Sequence, residues 1–412
     1  MKKGWQSQTL DKACQIKPPK SEARDRVSVD ELVSFLPMED MGIGEKFVRA
    51  IQAKPLSAVA GSYTYFADGD VLLAKITPCF ENGKLGIAEG LTNGIGFGSS
   101  EYIVFRPDKM LSSEWLYYYL SRETFLVEGA ARMSGAVGHK RVSREFIESY
   151  PIPVPPLPEQ QRIIGIIDEA FDGIATAKIN AEKNLQNARA LFESHLQSVF
   201  TQRGKEWDRV TLETLLERGW IESHLDGNHG SDYPRKEEFI SEGVPYISAN
   251  CLDDERVDMS RAKYLSLSRA ALLRKGIAKD NDVLFAHNAT VGPVAILHTD
   301  EEKIILGTSL TYYRCNPKHI LPEYLAHYMR SFGFKTQYLQ VMRQSTRNQV
   351  PITKQREFFH VIPPLDEQKR IIGALDGLFE NGQRLATLYE HKLAALEALK
   401  KSLLHQAFTG NL

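Results

Sequence analysis

Long apolar runs, paired cysteines and an excess of charge of either sign are all missing from this sequence. No stretch approaches the roughly 18 apolar residues of a membrane-spanning helix, and the basic start Met1-Lys2-Lys3 has no apolar segment behind it, which argues against a secretory leader. Cys14, Cys79, Cys251 and Cys315 are scattered with no CxxC pair, a pattern that fits free thiols in a reducing cytoplasm better than a disulfide framework or a structural zinc. Lysine and arginine total 51 against 52 acidic residues, a net charge of −1, so strong unspecific binding that neutralises many phosphates is disfavoured. A local basic reader is not.

Catalytic signatures are missing too. The chain has no GxxxxGK[ST] loop, no HExxH, no GxSxG elbow and no Asn-Pro-Pro-aromatic or Asp-Pro-Pro-aromatic stretch. Gly94-Ile95-Gly96-Phe97-Gly98 departs from GxGxxG and reads as a turn or bulge before a strand. The 11 histidines show no ligand spacing, and His224 and His229 read as members of a polar loop.

What is present is a duplication. Pro155-Pro156-Leu157-Pro158-Glu159-Gln160-Gln161-Arg162-Ile163-Ile164-Gly165 returns as Pro363-Pro364-Leu365-Asp366-Glu367-Gln368-Lys369-Arg370-Ile371-Ile372-Gly373. The register holds without a gap to Phe200-Thr201 against Phe408-Thr409. Each copy opens a helix. Steps of four and three from Ile163 meet Ile167, Ala170, Ile174, Ala177, Ala181, Leu185, Ala188, Phe192, His195 and Val199, and the same steps from Ile371 are broken only by Gly382 and Lys400. About 42 residues at about 1.5 Å each make a rod of roughly 60 Å. A single rod would expose its seam, so the two are expected to pack on each other. The globule between them, of about 150 residues, has an expected radius of gyration near 15 Å, which brings the second rod's start close to the first rod's end. An antiparallel pair with a globule at each end and an internal pseudo-two-fold axis follows.

Residues 1–152 and 206–360 form the globules, and residues 153–205 and 361–412 the rods. In the first globule Val71–Ala74 and Tyr102–Phe105 read as buried strands, and a helix runs from Ser113 through Leu120. Asp68-Gly69-Asp70-Val71-Leu72 is answered by Asp280-Asn281-Asp282-Val283-Leu284, and Glu114-Trp115-Leu116 by Glu323-Tyr324-Leu325. The fold class is α+β: two mixed α/β globules of common plan and different surface, separated by an antiparallel two-helix coiled coil.

That order of variable globule, shared PPLxEQ helix, variable globule and shared helix resembles the specificity subunit of type I restriction-modification systems, over the whole chain. The resemblance implies two target recognition domains, each reading half of a bipartite sequence in double-stranded DNA, with the helices setting the gap. It implies two methylation subunits docked on the helical region and carrying the S-adenosylmethionine, a separate restriction or translocase subunit, and no cofactor or catalysis in this chain. The residues agree in kind, since two unlike halves related by a pseudo-dyad suit an asymmetric bipartite site.

Candidate DNA contacts occupy matching places before each proline pair: Arg132, Ser134, His139, Lys140, Arg141 and Arg144 in the first half, and Arg343, Gln344, Ser345, Arg347, Asn348, Gln349 and Lys354 in the second. Arginine and lysine suit guanine or phosphate, asparagine and glutamine suit adenine. A solvated loop is their plain alternative. Lys75 and Lys84 after the first Asp-Val-Leu strand, His287 and Asn288 after the second, and a polar loop with His224, Asn228, His229 and Arg235 extend the set. Candidate partner contacts are the apolar residues off the seam: Ile164, Ile166, Ile179, Leu191 and Leu196, then Ile372, Leu388, Leu399, Leu404 and Phe408. Near the rod ends these equally suit packing on the chain's own globules. A scaffold that joins two protein-binding globules without touching DNA is the competing reading.

Overall fold

The computed structural model describes residues 4–136, 138–201, 204, 206–253, 256–344 and 348–412. The chain divides into two units: Met1–Glu182 with His391–Leu412, and Lys183–Glu390. Each therefore holds one globule, the start of one long helix and the end of the other. The helices are Leu157–Thr201 and Leu365–Thr409, 45 residues each. Among the described residues no helix is long and apolar enough to cross a membrane.

In the first unit a five-stranded sheet runs in the order Cys14–Ile16, Tyr102–Pro107, Val71–Ala74, Leu85–Ala88 and Phe47–Val48. A four-stranded sheet, Gln52–Pro55, Leu32–Leu36, Ile95–Gly98 and Thr64–Ala67, lies beside it in sequence. Ile95–Gly98 is thus itself a strand, which corrects the turn read from its glycines. The edge of the Phe66 ring would be 2.2 Å from a Cβ at Gly96 and the Leu36 carbonyl oxygen 2.4 Å from one at Gly98, so these glycines answer to crowding across the sheet.

The second unit repeats the plan. Ile221–Asp226, Leu310–Cys315, Val283–Asn288 and Thr290–Ile296 form its four-stranded sheet, and Phe239–Ile240, Lys263–Leu265, Val244–Ile247, Ile304–Leu306 and Ile277–Ala278 its five-stranded one. His224 lies inside the first of these strands and Asn228 just beyond it, both buried, so neither belongs to an open loop.

The same contacts recur in both units. Arg106 grips Asp70 through Nε and Nη2 at 2.8 Å each, and Arg314 grips Asp282 at 2.9 and 2.7 Å. The aspartates are the second in each Asp-x-Asp-Val-Leu motif. Trp115 Nε1 donates to the Pro153 carbonyl (2.8 Å) where Tyr324 Oη donates to that of Val361 (2.6 Å). Both carbonyls belong to the strand that leads into a long helix.

The long helices are built into the globule cores. Ile163, Ile164, Ile167, Leu404, Ala407 and Phe408 join the first core, and Leu196, Phe200, Ile371 and Leu375 the second. Phe408 packs edge-on against Trp115, centroids 4.6 Å apart, while Phe200 packs likewise against Tyr324 at 5.8 Å. The start of one rod thus meets the end of the other inside each unit, as an antiparallel pair requires. The seam is as read, with no exposed member on the first helix. On the second, Leu385 is exposed and Ala386 is buried in its stead. A Cβ at Gly382 would meet the Ala188 carbonyl oxygen at 3.4 Å, an ordinary contact that does not require glycine, whereas the Lys400 ammonium stands 4.9 Å over the Phe171 ring and so uses its place on the seam.

Glu159 and Glu367 face outward onto Arg162 and Arg370, while Gln160 and Gln368 are fully buried. Gln160 accepts from Ser112 N–H (2.8 Å) and donates to the Met110 and Pro155 carbonyls (2.8 Å each). Gln368 accepts from Leu321 N–H (2.9 Å) and donates to His319 and Pro363 (2.8 and 2.9 Å). Replacing either by leucine strands three backbone groups, one in a buried bond and two in part-buried ones, and each buried unmet group costs about 1–3 kcal/mol. Urea unfolding of Q160L and Q368L is expected to lose about 1–3 kcal/mol or more, each in its own unit; a loss below about 1 kcal/mol would show the amide is not a clamp.

Candidate nucleic-acid interface

The sheets place two loop clusters by their register. In the first unit the chain continues past Ala74 as an extended segment. Lys75 N–H donates to the Glu101 carbonyl (2.9 Å), Thr77 N–H to that of Lys140 (2.9 Å) and Val142 N–H to that of Lys75 (3.0 Å). Reciprocal bonds between Ser134 and Arg141, 3.0 and 2.9 Å, close a hairpin whose turn uses Gly135 and Gly138 at positive φ. In the second unit His287 N–H donates to Ser309 (2.9 Å), Ala289 N–H to Asn348 (3.0 Å) and Val350 N–H to His287 (2.8 Å). The three bonds match one for one. Lys75 answers to His287, Glu101 to Ser309, Lys140 to Asn348 and Arg141 to Gln349. Two candidate loops that are far apart in sequence thus form one platform in each unit.

The side chains differ. Arg141 is engaged on all three guanidinium nitrogens, with Nε and Nη2 on Glu101 at 3.0 and 2.7 Å and Nη1 on the His139 carbonyl at 3.1 Å. That pairing holds the Glu101 carboxyl below the usual range, with Lys75 Nζ adding to it from 3.9 Å. Glu101 was not legible as a site residue, because its equivalence to Ser309 rests on backbone register alone. Lys140 and His139 are exposed at the hairpin.

In the second unit His287 is buried and Nδ1–H donates to the Val350 carbonyl at 2.9 Å. Burial lowers its pKa, so the ring is neutral where the first unit has Lys75. Asn348 Nδ2 donates to the Ala289 carbonyl. Beneath lies Gln355, fully buried, whose Oε1 accepts from Tyr313 Oη (3.0 Å) and Thr311 Oγ1 (3.0 Å) and stands 3.1 Å from His224 Nε2, while Nε2 donates to Val350 (3.2 Å). It fixes the segment that carries Asn348 and Gln349 to the sheet.

The remaining candidates lie off the platforms. Arg132 ends the helix Glu123–Ala131 and stands over the Phe146 ring at 5.1 Å, and Arg144 pairs with Glu148 at 2.6 Å. Lys84 Nζ donates to the Met38 carbonyl (2.7 Å), and Lys354 pairs with Glu357 (2.9 Å). Arg343 and Gln344 are exposed at a helix end, and Arg235 is exposed before the turn Lys236–Glu238. His229 binds Asp226 at 2.5 Å. Ser345 and Arg347 lie outside the described residues.

On the helices the off-seam residues divide into two groups. Ile164, Leu196, Leu404 and Phe408 are buried in the chain's own cores and Ile372 packs against one, which corrects their reading as an open face. Ile166, Ile179, Leu191, Leu388 and Leu399 are exposed, Ile179 at 66% and Leu388 at 58%. No group of three or more His, Cys, Asp or Glu among the described residues could hold a metal.

An internally duplicated α+β protein with one loop platform per unit is thus defined. A family model described as type I restriction modification DNA specificity domain matches residues 4–186 and 224–391, and the chain belongs to that family. It is 37% identical over 227 residues to the specificity subunit of the type I restriction enzyme EcoAI of Escherichia coli, and 40% over 215 residues to that of EcoEI from the same organism. These matches cover 54% and 52% of this chain but only 36% and 34% of those relatives. The fold is that of the HsdS subunit from Thermoanaerobacter tengcongensis, with a TM-score of 0.69 at 18% identity covering 100% of this chain and 98% of that one. A chain solved in work on complex assembly of the type I R-M system gives 0.76 at 18% identity, covering 100% and 99%.

Burial pushes the pKa of His224 and His360 down to about 4. Between the ordinary value of about 6.5 and about 4, the unfolded chain binds protons that the folded second unit refuses, so stability decreases as the pH is lowered through this window and levels off below it. Urea midpoints of the second unit are expected to drop from pH 7 to pH 5, less so in H360F. Equal midpoints at both pH values would contradict the burial of neutral rings.

Proposed function

We propose that this chain is the DNA-reading subunit of a type I modification or restriction assembly, each unit engaging one half of a bipartite, asymmetric duplex site through its platform. The observation that carries this reading is the pair of platforms with one backbone hydrogen-bond scheme and different side chains, as two unlike half-sites demand. The helix pair sets the gap between halves and docks two methylation subunits. Those subunits carry S-adenosylmethionine and the chemistry, and a restriction or translocase subunit joins them; this chain binds no cofactor and catalyses nothing itself. The assembly works in the cytoplasm, away from membrane.

Footprinting of the chain with its methylation partner is expected to protect two short half-sites with unprotected base pairs between them. One continuous site, or no sequence preference, defeats the proposal and favours a scaffold without DNA readout. The exposed helix residues supply a separate test. Ile179→Asp and Leu388→Asp are expected to weaken co-elution with the methylation subunits at least about tenfold in concentration, since a buried charge at an interface is unfavourable by several kcal/mol, without lowering the melting temperature of the chain alone. Undiminished co-elution would place the docking surface elsewhere.

A further inference from the structure

At four matched positions the first platform carries charged side chains and the second uncharged ones. Lys75, Glu101, Lys140 and Arg141 occupy the positions that His287, Ser309, Asn348 and Gln349 take in the second unit, on the same backbone bonds. Within the first set the Arg141 charge is spent on Glu101, with Lys75 at the same carboxylate. The set holds three cations against one carboxylate, and Lys140 is the cation that stands exposed and without a side-chain partner among the described residues. In the second set His287 is neutral and tied to Val350, and Asn348 is tied to Ala289. The Gln349 amide is half-buried beside them, bridged to Asn288 through the backbone and with no side-chain hydrogen bond among the described residues.

We propose, resting on the DNA-reading function above, that the units engage their half-sites by different forces: Lys140 makes an ion contact with a phosphate in the first half, while Gln349 reads an adenine in the second. A lysine ammonium is a point charge that suits phosphate and releases counterions. A primary amide offers one donor and one acceptor, the complement of adenine N7 and N6 in the major groove. Arg141 is a positioning residue, holding the hairpin that presents Lys140. Arg347, the sequence equivalent of His139, lies outside the described residues and is kept in every variant.

The test titrates the full chain with its methylation partner against its mapped duplex at several salt concentrations. Lys140→Asn is expected to make the slope of log affinity against log salt shallower by about 0.9, with the same loss on every base variant of the first half. Lys140→Arg is expected to keep the slope, which separates charge from loop folding. Gln349→Met is expected to keep the slope and to lower discrimination at one A·T pair of the second half by about tenfold to hundredfold. An unchanged slope with Lys140→Asn, or a Gln349→Met loss that is equal at every base or changes the slope, overturns the division. Absence of any specific site with the unmodified complex defeats the proposed function itself, whereas specific binding with the wrong slopes defeats the division alone.

Discussion

A buried primary amide at the start of each long helix is the interaction on which the rest of this molecule depends. Gln160 and Gln368, themselves fully buried, each meet one backbone N–H and two carbonyls. A carboxylate in that place would face two carbonyl oxygens with no proton to offer, and a lysine would have nothing to give the N–H. The side chain that meets all three groups is an amide of glutamine's length, which explains why the glutamine recurs while the position two before it changes from Pro158 to Asp366. The glutamate beside it faces outward onto an arginine one turn on, and stabilises little.

The clamp matters because neither globule closes its core alone. Trp115 and Tyr119 in the first unit take Phe408 between them, and Tyr324 and Tyr328 take Phe200 in the second. The ring that completes each core comes from the far end of the helix that does not begin there. Aromatic pairs of this kind add about 0.5–1.5 kcal/mol beyond the area they bury. Helix pairing and globule folding are therefore one event within each unit.

The repeat and the seam were legible in the sequence because each rests on a period, identity at a fixed offset or apolar residues at steps of four and three, and the antiparallel sense because the globule between the rods is too small to span one. The strands at Val71–Ala74 and Tyr102–Phe105 were legible as short apolar runs, the second continuing to Pro107 in the structure. What was not legible depends on register between distant segments. Glu101 carries no local signal, His224 reads as polar until the strand that buries it is known, and Gln355 is a lone glutamine in a basic stretch. The off-seam residues show both outcomes, since Phe408 and Ile179 look alike in a helical wheel and only the globule packed at the rod end separates them.

The platforms vary without loss of shape because their shape is held by the main chain. Bonds from residue 75 to 101, 77 to 140 and 142 to 75 involve no side chain, nor do their counterparts from 287 to 309, 289 to 348 and 350 to 287. A side chain on such a frame is free to change from lysine to asparagine, or from arginine to glutamine, while the strand ends stay where the sheet puts them. The anchoring lies at the other end of the same strands, in Asp70–Arg106 and Asp282–Arg314, where burial raises each carboxyl's pKa against the pull of its arginine. Such pairs add little net stability but make any other arrangement of the two strands leave a charge unmet. Fixed strands beneath and a main-chain frame above leave the exposed side chains of the platform as the part that can differ between two units of common descent, and it is there that they differ.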